Sequence, residues 1–334
     1  MFDFAPIGST EHEAVAAQRL LNEDDPAGQE GLFPSHSDLT EWHLHLLMHN
    51  PNPFQEVLAF FWHGHFATSS QALGTGSLHW MKDHINLFRE KGAGNLKQLV
   101  LDVSRDAAML RWLDGLDSRR GAPNENYARE FFELFCLGVD NGYTQEDIVE
   151  ASRAFTGYRQ IALDEETGLY GVTFEPGRHD TEDKTVLGIL IPGQEETDDY
   201  QAVVDITFSE RNAAEWFARA ILRAFCYEDP PQRNIDALAS ELRAADYELE
   251  PVLKRLFHST AFFSDRAQTG LVKGPLEFAV GFMRTTGVHP VHGERLTIDL
   301  SAIRWRLEGM GHVPTRPPSV SGWPEGELWL SAQA

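Results

Sequence analysis

Residues 123–157, PNENYAREFFELFCLGVDNGYTQEDIVEASRAFTG, carry two helix signatures back to back. Asn124 can cap the first helix with its side-chain oxygen, and Gly138 supplies a left-handed stop. Thr144 opens the second, and with Asp147 it forms a capping box in which Asp replaces the usual Glu or Gln. Tyr127, Phe131, Phe132, Leu134 and Phe135 surround the first helix on most sides. A helix apolar on most of its circumference must be buried among other helices. The segment therefore constrains the chain to helix-on-helix packing.

The same period recurs along the chain. After Ser37 or Asp38 as cap, LTEWHLHLLMHN reads as a helix that stops before Pro51 and Pro53. FQEVLAFFWHGHF follows, with Gly64 near its end, and then helices are expected over 84–90 and 96–113. Trp216, Phe217, Ala220, Ile221, Ala224 and Phe225 form a wide apolar stripe at helical spacing. Further helices fit 234–245, 249–258, 273–286 and 298–310. Residues 170–192 break the period: Val172 and Phe174, then Val186, Ile189 and Ile191, are β-like runs around a polar loop. The expectation is a mainly α fold, a single large multi-helix domain over 36–334 with a small β-hairpin insertion near 170–192. Residues 1–35 read as a variable N-terminal segment, and the Pro/Gly-rich tail PTRPPSVSGWPEGELWLSAQA as an ordered extended one.

Charge removes several function classes. The 334 residues hold 28 Lys and Arg against 51 Asp and Glu, a net charge of −23. Nucleic acid and anionic lipid both require positive charge, so neither is an expected partner. No apolar run reaches the roughly 18 residues a membrane span requires, and MFDFAPIGSTEHEA lacks the basic-then-apolar pattern of a secretory signal. Cys136 and Cys226 sit in apolar helical patterns, as small buried hydrophobes do. Phosphate-loop, dinucleotide, nucleophile-elbow and CxxC motifs are absent.

Three groups of polar residues remain as candidates for chemistry. On the helix 54–66, Glu56 and His63 share a face two turns apart, and His65 joins them if Gly64 loosens the helix. Imidazole and carboxylate are a normal ligand set for a divalent metal ion such as zinc, iron or manganese; the competing reading is core histidines. Glu125, Arg129 and Glu133 follow at four-residue intervals, so Arg129 can pair with both carboxylates, while Glu130 lies on a neighbouring face. These serve either as a structural charge network or as metal-ligand and catalytic carboxylates with Arg129 as a binding residue. The loop RHDTEDK offers His179 and Asp180 as a base and Lys184 as a cation for an anionic intermediate, or else a plain polar turn. His45 and His49 have i, i+4 ligand spacing, but nothing beside them marks a site. Trp62, Trp323 and Trp329 can wall a binding cleft or pack the core.

Six blocks in order, NPFQEVLAFFWHGHFATS, DAAMLRWLDG, PNENYAREFFELFCLGVDNGYTQEDIVEASRAFTGY, FEPGRHDTEDKTVLG, KGPLEF and PPSVSGWPEGELWL, resemble a bacterial family, the domain of unknown function numbered 1800. They span about residues 40–330. The segment ahead of the first block is shorter than the family's, and the chain stops soon after the tryptophan block. The resemblance implies a mostly α-helical fold and no established reaction. It implies frequent export and a sulfatase- or phosphatase-like protein encoded alongside, and it places His179, Asp180 and Lys184 in a family block. Two functions follow as expectations. One is an enzyme-like domain in which Glu56 and His63 face Glu125, Glu130 or Glu133 under the His179 loop, with metal-dependent hydrolytic and oxidative chemistry both open. The other is a non-enzymatic helical scaffold acting with the phosphatase- or sulfatase-like partner.

Overall fold

The computed structural model of the chain describes residues 35–165, 168–194, 198–287 and 300–330, together with Phe4, Pro6, Ile7 and Ser9. The expected N-terminal segment 1–35 lies almost wholly outside the described residues. The chain divides into two compact units, 1–92 with 271–334, and 93–270.

The first unit holds α1 (His36–His49), α2 (Pro53–His65) and α3 (His79–Lys91), and from the C-terminal part α13 (Pro275–Thr286) and α14 (Leu300–Gly309). Ser35 caps α1 by accepting from Asp38 N at 3.2 Å, and Pro53 starts α2 where its missing N–H is no loss. The last carbonyls of α1 would be orphaned in a buried place. Arg284 of α13 satisfies them, donating to Met48 O at 2.9 Å, Leu47 O at 3.2 Å and Asn50 O at 3.1 Å. Leu44, Leu47 and Met48 then pack with Leu276, Met283, Leu300, Ile303 and Leu307 into one apolar core. The tail packs on α2: Trp323 stacks on Phe60 at 4.8 Å, and Gly322 (φ +81°) lies so close to Gly64 that a Cβ there would overlap the Gly64 carbonyl.

The second unit holds α4 (Leu96–Ser104), α5 (Ala107–Trp112), α6 (Glu125–Glu130), α7 (Gln145–Ala154), α8 (Tyr200–Ser209), α9 (Arg211–Phe225), α10 (Gln232–Ala244), α11 (Leu249–Phe257) and α12 (Asp265–Thr269). The helix expected over 96–113 is two, because Asp106 caps a new start by accepting from Met109 N at 3.0 Å. Asn124 caps α6 and Thr144 with Asp147 makes the capping box, both as expected. α6 continues into a π-helical turn, Phe131–Cys136, and ends at Gly138 (φ +96°), where a Cβ would stand 2.9 Å from the Trp216 ring.

The β region is larger than the expected hairpin and paired differently. β1 (Tyr158–Asp164) pairs antiparallel with β2 (Leu169–Phe174), and β3 (Lys184–Val186) with β4 (Ile189–Ile191). The two runs read as partners across 170–192 thus belong to separate ribbons. The β3–β4 turn has two residues at positive φ, Leu187 (48°) and Gly188 (75°), the mirror-image turn that suits strand twist. Two-stranded ribbons are marginal alone. α7 anchors this one: Asp147 accepts from Leu187 N at 2.7 Å and Glu150 from Thr185 N at 3.0 Å. No helix among the described residues is long and apolar enough to cross a membrane. Cys136 and Cys226 are buried free thiols.

Candidate functional site

The loop between β2 and β3 folds back over the end of α7. Thr156 fixes it, donating to Arg153 O at 2.7 Å and accepting from Asp180 N at 2.8 Å. His179 is thereby enclosed, with no exposed surface. Its Nδ1 lies 3.0 Å from Thr156 O and 3.1 Å from Thr156 Oγ1, and its Nε2 lies 3.2 Å from Asp199 Oδ2. Lys184, 1% exposed, donates to Asp180 O at 2.5 Å and Glu182 O at 2.8 Å. It also pairs with Asp199 Oδ2 at 2.8 Å. An ammonium has three protons, and all three have acceptors. Burial by itself would raise the Asp199 carboxyl, but hydrogen bonds from His179 and Lys184 and the Lys184 charge hold it below the usual range. Asp180 is the same case, with burial opposed chiefly by Arg153. The Arg153 guanidinium meets Asp180 at 3.0 and 3.2 Å and Glu150 at 2.9 and 3.0 Å.

The α6 charges form an open ladder. Arg129 lies 3.4 Å from Glu125 and 3.5 Å from Glu133, with Arg129 37% and Glu125 43% exposed. Its shortest contact is Gln145 Oε1 at 2.9 Å. Glu130 differs: partial burial and then the neighbouring Glu133 raise its carboxyl, against the opposing pull of Arg129.

In the first unit, Glu56 is 1% exposed and is joined by Arg89 Nε at 2.8 Å and Asn50 Nδ2 at 2.5 Å. Gln55 completes the cluster, donating to Arg89 O at 3.1 Å and accepting from Asn50 at 3.1 Å. α2 persists through His65, so Gly64 does not bring the two histidines together. His63 is fully buried, edge-on to His84 at 5.5 Å and to Trp323 at 5.3 Å, whereas His65 meets Phe66 at 4.7 Å. Burial, then His84 and His43, lower the His63 imidazole well below its ordinary value. Burial and then Arg89 push His43 down to about 3. Neither ring nitrogen of His43 or His63 has a hydrogen-bond partner among the described residues. Trp62 is buried with Nε1 on Gly92 O at 2.8 Å. Trp323 is 8% exposed.

These segments coincide with a known family. The chain belongs to the family described as Protein of unknown function (DUF1800). The family model matches residues 10–334. No curated protein and no solved structure matches the chain.

The residues singled out from the DUF1800 sequence thus fall into separate groups. Glu56, His63 and His65 lie in the first unit; Glu125, Arg129, Glu130, Glu133, His179, Asp180 and Lys184 lie in the second. Among the described residues His179, Asp180 and Lys184 are joined in one buried network, and Glu125, Arg129 and Glu133 in the open ladder. Among the described residues no group of three or more His, Cys, Asp or Glu side chains is arranged to hold a metal ion. The partners that complete each network, Asp199, Arg153 and Arg89, carry no local signal in the sequence. Each sits on an element whose approach depends on the packed fold. Asp199 precedes α8, a helix outside those expected from the sequence pattern.

Proposed function

We propose that this DUF1800 chain is a non-enzymatic helical scaffold that works with a partner protein, the family resemblance implying a phosphatase- or sulfatase-like one. The observation that carries the reading is the closure of the Lys184 cluster. His179, Lys184 and Asp199 are each at most 2% exposed, and every proton of the ammonium is held by an acceptor of the same unit. A general base or an oxyanion-stabilising cation has to reach substrate, whereas a buried, paired charge network fixes how elements dock; of its polar atoms Asp199 Oδ1 alone has no hydrogen-bond partner among the described residues. This one joins the loop after β2, the start of β3 and the start of α8.

The experiment is a stability series. Lys184→Met and Asp199→Asn each lose about 3–5 kcal/mol because one buried charge is left without its partner. The double variant Lys184→Met/Asp199→Leu recovers much of that loss. A single variant of unchanged or raised stability would mark a group held for chemistry rather than for structure, and would sink the scaffold reading. The partner half is tested by mixing the chain with a phosphatase- or sulfatase-like protein encoded beside it. No complex at micromolar concentration removes that half.

A second reading is favoured by one specific observation, the buried imidazoles of His43 and His63 without hydrogen-bond partners. It is an enzyme-like polar site in the first unit, with Glu56 two turns from His63 on α2; a divalent metal as its cofactor would need ligands beyond these, since no group of three or more such side chains among the described residues is arranged to hold one, and hydrolytic and oxidative chemistry both stay open. Stoichiometric metal in the purified protein, with a melting temperature lowered by chelator, supports it. A metal-free preparation indifferent to chelator counts against it.

A further inference from the structure

We infer that Arg119, Arg120 and Arg178 form a binding site for a tetrahedral oxyanion, a phosphate or sulfate group. The inference goes beyond the scaffold reading and does not depend on it. Arg119 and Arg120 lie in a tight turn closed by Ala122 N on Arg119 O at 2.9 Å and Arg119 N on Ala122 O at 3.3 Å. That turn is bonded directly to the loop after β2, with Arg120 N donating to Arg178 O at 2.7 Å. The Arg120 side chain reaches Thr181 Oγ1, and Arg178 Nη2 donates to the Leu116 carbonyl at 3.1 Å. Two joined loops of one unit therefore carry three guanidinium groups.

The carboxylates of this loop are already engaged by other donors. Glu175 pairs with Arg159 at 2.5 Å. Asp180 and Glu182 pair with Arg153 at 3.0 and 3.6 Å. Asp183 accepts from Gly193 N at 2.9 Å. None of the three arginines has an ion-pair partner among the described residues, in a chain of net charge −23. A second observation concerns Arg178 itself: its Nε is buried and has no acceptor among the described residues, as is also true of the ion-paired Arg105 and Arg316. Buried guanidinium N–H groups are rarely left unmade, and an ion or water is one explanation for such a group. Guanidinium forks match phosphate and sulfate oxygens two at a time. One carboxylate offers oxygens for a single fork, whereas a tetrahedral anion offers them in several directions. The acidic surface repels a polyanion, so the ligand is one anionic group rather than a nucleic acid.

The test is calorimetric titration of the full chain with inorganic phosphate, sulfate, glycerol phosphate and acetate at fixed ionic strength. Phosphate and sulfate are expected to saturate a single site that acetate does not fill. Glycerol phosphate binding more tightly than the free ion identifies an ester as the ligand; the reverse order identifies the free ion. Arg178→Gln and Arg120→Gln each weaken binding about tenfold or more, the loss of one charge-assisted contact. Arg211→Gln, a 73% exposed arginine paired with Glu215, leaves it unchanged. Arg119→Gln keeps the test open should Arg178→Gln fail to fold, because Arg119 is exposed and among the described residues its side chain holds only the Asp117 carbonyl, at 3.5 Å. No saturable binding of phosphate, sulfate or the ester, equal binding of acetate, or equal weakening by Arg211→Gln overturns the proposal.

Discussion

Acid should destabilise the first unit well before carboxylates protonate. His43 has no exposed surface, and burial with Arg89 nearby sets its imidazole at about 3, against roughly 6.5 in an unfolded chain. The native state keeps this ring neutral, while the unfolded state takes up a proton below about 6.5. Its contribution to stability is therefore complete above that pH and is lost as pH falls toward 3. Linkage gives a loss of about 2 kcal/mol between pH 7 and 5, rising to about 4 kcal/mol near pH 3. His63 acts in the same direction. His312, set at about 4 mainly by burial, adds about 2 kcal/mol at pH 5. The assay is urea unfolding at pH 7 and pH 5 followed by tryptophan fluorescence, since Trp42 lies 5.9 Å from the His43 ring. Histidine contributions separate from carboxylate ones in this window because Asp180 and Asp199 are held below their usual range and stay charged. Glu130, raised in the native state, works with the opposite sign and slightly stabilises the second unit on acidification. His43→Leu should cut the pH 7-to-5 loss by about 2 kcal/mol. A wild type equally stable at both pH values, or a His43→Leu variant with the full wild-type loss, refutes the reasoning.

Three further substitutions separate strong constraints from weak ones. Arg129→Ala should lower stability by at most about 0.5 kcal/mol, because its ion pairs are long and half-exposed; a melting-temperature change of many degrees contradicts the open-ladder description. Gly138→Ala should cost more than about 1 kcal/mol in denaturant unfolding, combining a positive φ with a ring contact at 2.9 Å. Leu187→Asn should raise stability by a few tenths to about 1 kcal/mol, since Asn tolerates the left-handed conformation at φ 48°. A loss there would mean that the leucine side chain matters more than its backbone strain.

Much of the fold was readable because its signals are local. Caps, stops and apolar stripes each involve residues within one or two turns, so Asn124, Gly138 and the Thr144–Asp147 box could be placed without knowing the rest of the chain. The β region was harder. Val172 and Phe174 were correctly β-like, but their true partner is the run 158–164, whose alternation is hidden by polar and exposed residues. The π turn at Phe131–Cys136 also left no mark, since one extra residue in a turn changes the hydrogen bonding but not the composition.

The site divides the same way. Sequence alone was enough for the mainly helical fold, the DUF1800 membership and the histidines and charges in the matching blocks. Whether those charges are open or sealed was decided by residues remote in sequence: Asp199 closes on Lys184 and His179, Arg153 on Asp180, and Arg89 on Glu56. Spacing along one helix reports which side chains share a face. It carries no information about what another element brings opposite that face, and burial and pairing both depend on that arrival.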